Sequence, residues 1–226
     1  MGWADLGWIV GGYLVGTIPS TLIVARTRGA TDVVARARRQ DSGRDAHILI
    51  TPRLGIAWSI VAGTFDVVKA FLFVLAAREW GHASAVVLAS VGAAVVVGYT
   101  FPFYARQMAG RGLAASAGVL LVLLPAEMVV AGVLILVGAA VRVTGWATTV
   151  AMASVPGIAA AQGQPAALVA MAGVILAVMI ARRIEGMGDA VRAGMDPMRV
   201  VASRALLDRD PRPTGRPSPS GARSKI

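Results

Sequence analysis

Six apolar stretches, Leu6–Ala25, Leu54–Ala77, Ser84–Tyr104, Leu113–Val141, Trp146–Ala161 and Pro165–Ala181, occupy most of this chain up to Ala181. A helix rises about 1.5 Å per residue and a bilayer's hydrocarbon core is about 30 Å thick, so roughly 20 apolar residues cross it. Runs of this length point to an all-α fold, a polytopic transmembrane helical bundle. Composition agrees, with 56% of the 226 residues hydrophobic and 15% charged, a membrane balance.

Leu113–Val141 is long for one helix and short for two full ones, and Pro125 and Glu127 stand near its middle, where a turn tolerates them. Charge decides the count. Arg26, Arg28, Arg36, Arg38, Arg39, Arg44 and Arg53 hold the link between the first two spans in the cytoplasm, which leaves the N-terminus outside. Alternation then puts Arg106 and Arg111 inside and the Arg78–Ala83 link outside. Splitting the fourth stretch also brings Arg142 and the tail from Arg182 onward, with ten Arg and Lys, to the cytoplasmic side. About seven membrane segments are therefore expected, in the inner (plasma) membrane, with the C-terminus and the polar loops cytoplasmic. The net charge of +10 is read as positive-inside retention rather than as a nucleic-acid footprint.

The N-terminus lacks the basic flank and cleavage site of a signal peptide, so the first run is expected to stay as a span. No cysteine is present and the two histidines, His47 and His82, lie far apart, so neither a thiolate nucleophile nor a histidine-rich metal site is expected. Residues 1–185 form the expected membrane domain and 186–207 a cytoplasmic juxtamembrane segment, with a surface helix opening at Asp196-Pro197. The basic tail, 208–226, is too polar and proline-rich to pack and is expected to be disordered.

Four passages carry candidate chemistry. In "GYLVGTIPS", Pro19 should kink the first helix and the glycines should allow close packing. Asp66 and Lys69 sit three apart on one face of the second span, either as a functional intramembrane polar pair or as a local ion pair closing on itself. "GYTFPFYARQMAGRGLAAS" runs through Pro102 to Gly110, Arg111 and Gly112 and straight into the next apolar helix. Open backbone N–H groups at that helix start, the helix dipole and the Arg111 fork would cradle a phosphate, whereas the plain alternative is a glycine-permitted turn with a retained arginine. "DSGRDAHILITPR" offers Ser42 as nucleophile or anchor, His47 as base, and Arg44 and Arg53 as phosphate-facing cations; its alternative is a solvated loop.

In order and spacing these passages resemble the bacterial acyl-phosphate:glycerol-3-phosphate acyltransferase family over roughly Tyr13 to Asp189. Tyr13–Ser20 is similar to the family's opening "YLLGSIPFG". A motif of the form SGNxGATNxxR would begin at Ser42-Gly43 and, without a gap, bring the family's Asp and Lys onto Asp66 and Lys69. The motif GHxFPxFxxxKGGKGVAT lies over Gly98 to Ala115, keeping Gly98, Phe101, Pro102, Gly110 and Gly112, with Arg111 for lysine. Departures accompany the match: Arg44 replaces the expected Asn, Ala46 to Leu49 replace Gly-Ala-Thr-Asn, and Pro52 holds the arginine position. Tyr99 holds the histidine position, and Ala177 to Ile180 are apolar where a third motif's His and Asn should stand.

The resemblance implies a diverged enzyme of phospholipid synthesis that moves an acyl group from acyl phosphate to glycerol 3-phosphate or a related phosphorylated acceptor, without cofactor or metal. It implies Ser42 and His47 as catalytic groups and Arg44, Arg53, Gly110, Arg111 and Gly112 around phosphate. The broken motifs keep open a catalytically silent member that scaffolds lipid-synthesis proteins or binds lipid phosphate. A small transporter using Asp66, Lys69 and Glu127 fits the ionisable residues but not the motif order. Oligomeric state is not legible.

Overall fold

The computed structural model describes residues 2–32, 46–104, 110–184, 196 and 198. The helices are α1 (Trp3–Thr17), α2 (Ser20–Thr27), the short α3 (Thr51–Leu54), α4 (Ile56–Trp80), α5 (Ala85–Thr100), α6 (Leu113–Leu123), α7 (Pro125–Ala140), α8 (Thr144–Ala161) and α9 (Ala166–Ile184), with a 3-10 turn over Ala46–Ile50. No strand occurs among the described residues.

Two of these helices, α4 and α9, are long and apolar enough to cross a membrane, and a third span results if α1 and α2 are counted together across their 42° bend. The bend falls where proline chemistry puts it. Ile18 is extended (φ −60°, ψ 119°) and Pro19 starts the next helix, because a residue before proline is driven out of the α region and proline has no N–H to continue the ladder. The long Leu113–Val141 stretch likewise divides, at Leu124 (φ −140°, ψ 61°), with Pro125 in the first turn of α7. By contrast Pro156 lies inside α8 without ending it.

The outer surface is that of a lipid-facing bundle. Leu6, Val10 and Leu14 recur at helical spacing along the exposed side of α1, Ile60, Phe65, Val68 and Leu72 along α4, and Val129, Val133, Leu136 and Val137 along α7. Apolar faces this extensive are tolerated where hydrocarbon, not water, is the solvent.

Inside, α5 packs between α1 and α9, α4 packs on α6, and α7 pairs with α8, which also meets α9. The α1–α5 crossing is set by glycine: a Cβ on Gly16 would land on the Val95 carbonyl oxygen, and one on Gly98 on the Tyr13 carbonyl oxygen. Small residues let backbones approach in this way, giving membrane helices dispersion contacts that lipid cannot match. Gly98→Ala is therefore expected to destabilise the protein by about 1–3 kcal/mol through forced separation of the helices; thermal unfolding in detergent would read it, and an unchanged midpoint would contradict the crossing.

A smaller core of Val24, Ala25, Ala30, Ile50 and Ala62, flanked by Leu54 and Trp58, ties the 3-10 turn to α2 and α4. The Arg28 guanidinium stacks 3.6 Å from the Trp58 ring centre. The sequence suggested a solvated loop as one reading here; instead Ala46–Leu54 folds as helical turns, because Ile50 is fully buried and anchors it.

Candidate functional site

Ser59, Asp66 and Lys69 are buried side by side along the inner face of α4, with Gly63 in the same row, positions three or four apart that a helix stacks on one side. Each meets a group from elsewhere in the chain. The Ser59 hydroxyl donates to the His47 carbonyl at 2.6 Å, and the His47 ring lies 3.7 Å from where a Cβ on Gly63 would stand. One turn further, Asp66 Oδ1 accepts from the Ser20 hydroxyl at 2.5 Å and sits 2.7 Å from the Lys69 ammonium.

Lys69 does more than close on its neighbour. Its Nζ donates to the Ile18 carbonyl at 2.5 Å and to Ser20 Oγ at 3.2 Å. The Pro19 break frees polar backbone inside the bundle, and the α4 pair is what satisfies it. Lys69 is 9% exposed and Asp66 2%, so both charges are out of water and depend on these partners.

The helix ends nearby are tied reciprocally. Tyr13, from α1, donates its hydroxyl to the Phe101 carbonyl just past α5 at 3.0 Å, while Tyr104 donates to the Thr17 carbonyl at the end of α1 at 2.5 Å. Between them Tyr99 turns inward: the Lys69 ammonium lies 5.4 Å from its ring centre, and a Cβ on Gly110 would collide with its Oη, Cε1 and Cζ. Gly112, with φ +98°, is the N-cap of α6, a left-handed position that glycine occupies without strain. A Cβ there would come within 3.2 Å of Thr100 Oγ1 and of Met179 in α9. Gly110 and Gly112 are buried while Arg111 between them is half-exposed.

The turn thus opens α6 with first-turn N–H groups that have no partner earlier in the helix, beside one guanidinium. Such a start favours an anion. The row from His47 through Asp66 and Lys69 to Tyr99 and Gly110 is continuous along the inside of the bundle.

Among the residues singled out from the sequence, His47, Asp66, Lys69, Gly110, Arg111 and Gly112 fall on or beside this row. His47 Nδ1 is buried and has no hydrogen-bond partner among the described residues. Arg53 lies toward the surface, in an exposed ion pair with Asp32 at 2.9 Å. Ser42 and Arg44 lie outside the described residues, as does most of the expected juxtamembrane segment and tail; within it Asp196 accepts from the Met198 N–H at 3.1 Å. No cluster of three metal-ligating side chains forms among the described residues.

Sequence reasoning missed Ser20, whose only signal was its place directly after the kinking proline. It also did not foresee the burial of two polar side chains. Arg183, in the last turn of α9, donates to the Thr149 hydroxyl of α8. Glu127, in the first turn of α7, is fully buried, and neither carboxylate oxygen is hydrogen-bonded among the described residues.

Comparison with known proteins adds the following. The sequence pattern of the family described as Glycerol-3-phosphate acyltransferase matches residues 6–192. The chain is 35% identical to a Glycerol-3-phosphate acyltransferase of Trichlorobacter lovleyi over 122 residues, 54% of this chain and 60% of that protein. It is 32% identical to one of Myxococcus xanthus over 171 residues, 75% of this chain and 86% of that protein. Several of the curated relatives are matched over only 50–60% of their length. The fold is similar to the crystal structure of PlsY (YgiH), an integral membrane glycerol 3-phosphate acyltransferase in its glycerol 3-phosphate form, with TM-score 0.68 and 24% identity, covering 85% of this chain and 94% of that one.

Proposed function

From the premise that the chain belongs to the glycerol-3-phosphate acyltransferase family, we propose that it is an integral membrane acyltransferase of phospholipid synthesis. It moves an acyl group from acyl phosphate to the hydroxyl of glycerol 3-phosphate, or of a related phosphorylated acceptor. The observation that carries the reading is the Gly110–Arg111–Gly112 turn, an anion-favouring helix start placed at the end of a buried polar row in an otherwise apolar bundle.

In this reading the acceptor hydroxyl attacks the acyl carbonyl, the carbon–oxygen bond to phosphate breaks, and phosphate leaves. Both substrates are anions, so the protein's task is to hold two phosphates close together and to stabilise the charge that develops at the carbonyl oxygen. Arg111 and the open N–H groups at the start of α6 take one phosphate. Ser42, Arg44 and Arg53 hold or orient the other, with Ser42 and His47 as the catalytic groups and His47 accepting the hydroxyl proton. Asp66 and Lys69 fix the broken first span against α4. The acyl chain lies along the apolar helices, and no metal or cofactor takes part.

The same reading assigns about seven membrane segments, the N-terminus outside and the polar loops and C-terminus cytoplasmic, in the inner membrane. Residues 1–185 form the membrane domain, 186–207 a juxtamembrane segment and 208–226 a basic, proline-rich tail. It rests on the positive-inside distribution of Arg and Lys.

A second reading, a catalytically silent member that binds lipid phosphate or scaffolds its neighbours, is favoured by one contact. Arg53 is engaged by Asp32, a carboxylate that would repel the phosphate assigned to it. Acyl phosphate and labelled glycerol 3-phosphate, supplied to protein purified in detergent, separate the two. Labelled lysophosphatidic acid supports the enzyme; glycerol 3-phosphate binding without product supports the silent member.

A further inference from the structure

Tyr99 is where two separately built parts of the bundle meet. It stands in the last turn of α5, 7% exposed, with the Lys69 ammonium facing its ring from α4. At its hydroxyl end the backbone of Gly110 is so close that the phenol occupies the volume any side chain there would need. Two residues later Gly112 reverses the chain into α6. The ring is therefore a wedge between a buried, fixed lysine and the turn that presents Arg111.

We propose that Tyr99 is a positioning residue for the phosphate-binding turn. It sets the stand-off of Gly110–Arg111–Gly112 from Lys69 of α4 and from the end of α5, and so fixes the direction in which Arg111 and the open N–H groups of α6 point. This rests on the acyltransferase reading of that turn. Two rotatable bonds make the phenol a stiff spacer, and Lys69 is itself held by Asp66, Ser20 and the Ile18 carbonyl. The stand-off is thus referred to a polar group held by three partners. Tyr99 holds the position at which the resemblance expects histidine; its longer ring requires a residue without a side chain at 110, and glycine is there. The contact is shared between the hydroxyl and the ring edge: Oη is nearest, and Cε1 and Cζ follow closely.

Removing the spacer leaves Arg111 in place but no longer aimed, which should appear in binding rather than in turnover at saturation. The test compares wild type with Tyr99→Leu and Tyr99→Phe, each purified in detergent. Acyl transfer kinetics are measured with glycerol 3-phosphate as the varied substrate, and glycerol 3-phosphate binding by calorimetry. Tyr99→Leu should raise KM and Kd for glycerol 3-phosphate about tenfold or more while kcat changes by less than about threefold, since misplacing a positioning group by about 1 Å costs up to about 10²-fold. Tyr99→Phe, which keeps the ring, should bring both constants back toward wild type.

If wild type turns over and Tyr99→Leu shifts neither constant, the positioning role is overturned and the acyltransferase reading stands. If wild type binds glycerol 3-phosphate but makes no product, while Tyr99→Leu still weakens binding, the role stands and the acyl-transfer reading falls. Absence of both binding and product in wild type overturns both. Should Tyr99→Leu fail to fold, Tyr99→His carries the comparison, keeping a ring with less reach toward Gly110; unchanged constants in it would overturn the role equally.

Discussion

Replacing Asp66 by Ala should destabilise the folded protein by about 3–5 kcal/mol, the usual cost of stranding one member of a buried ion pair. The Lys69 ammonium would keep the Ile18 carbonyl and the Ser20 hydroxyl, yet lose the carboxylate that stands 2.7 Å away. Ser20 would lose its acceptor as well. The informative control removes both charges: Asp66→Leu with Lys69→Met should recover much of the loss, because an apolar pair of similar volume carries no desolvation penalty. Unfolding of the detergent-solubilised proteins by graded denaturant measures all three. A single variant within about 1 kcal/mol of wild type, against that 3–5 kcal/mol expectation, would mean that the pair does not hold the bent first span.

Arg111→Ala should lower kcat/KM for acyl transfer by about 10²–10³-fold, the range found when a preorganised donor to a developing or bound anion is deleted. Arg111 is the side-chain cation of the α6 start, and the backbone N–H groups that would remain carry only partial charge. Arg111→Lys keeps the charge but surrenders the two-point fork, so its loss should be smaller, about tenfold, and should fall mainly on KM. An Arg111→Ala protein with activity within threefold of wild type would place the phosphate elsewhere, and the Arg44 and Arg53 side would then be the first alternative.

Much of the helical layout could be read directly. Pro19 and Pro125 mark the two breaks, and the ends of the apolar runs fall within a few residues of the observed helices. Run ends were the weaker guide: α4 continues to Trp80, because Arg78 folds back to donate to the Val122 carbonyl at 3.0 Å rather than leaving the bundle. Apolar periodicity was no help in deciding what faces what, since lipid and protein interior are equally apolar.

The site was legible in its parts and illegible in its joins. Asp66 and Lys69 stood out as a pair, but the residues that complete them, Ile18 and Ser20, lie 46 to 51 positions earlier. Spacing along a chain carries no information about which distant carbonyl a proline will release toward which lysine. Tyr99 was visible only as a departure from a motif. Its contacts arise because α4 and the 110–112 turn both reach it in the folded chain. Glu127 read as a turn residue and is indeed in a first helical turn, yet nothing in its neighbourhood along the chain foretold complete burial.

The paired tyrosines at the ends of α1 and α5 bear on the order in which the chain can be finished as it is made. The Thr17 carbonyl takes its hydrogen from a tyrosine 87 residues later, and Lys69 reaches back 51 residues to Ile18. A nascent α1 that entered hydrocarbon alone would carry a bare carbonyl at its broken end, a cost of several kcal/mol in lipid. Its final depth is therefore settled only after Tyr104 has emerged, so α1, synthesised before α5, is seated only after it.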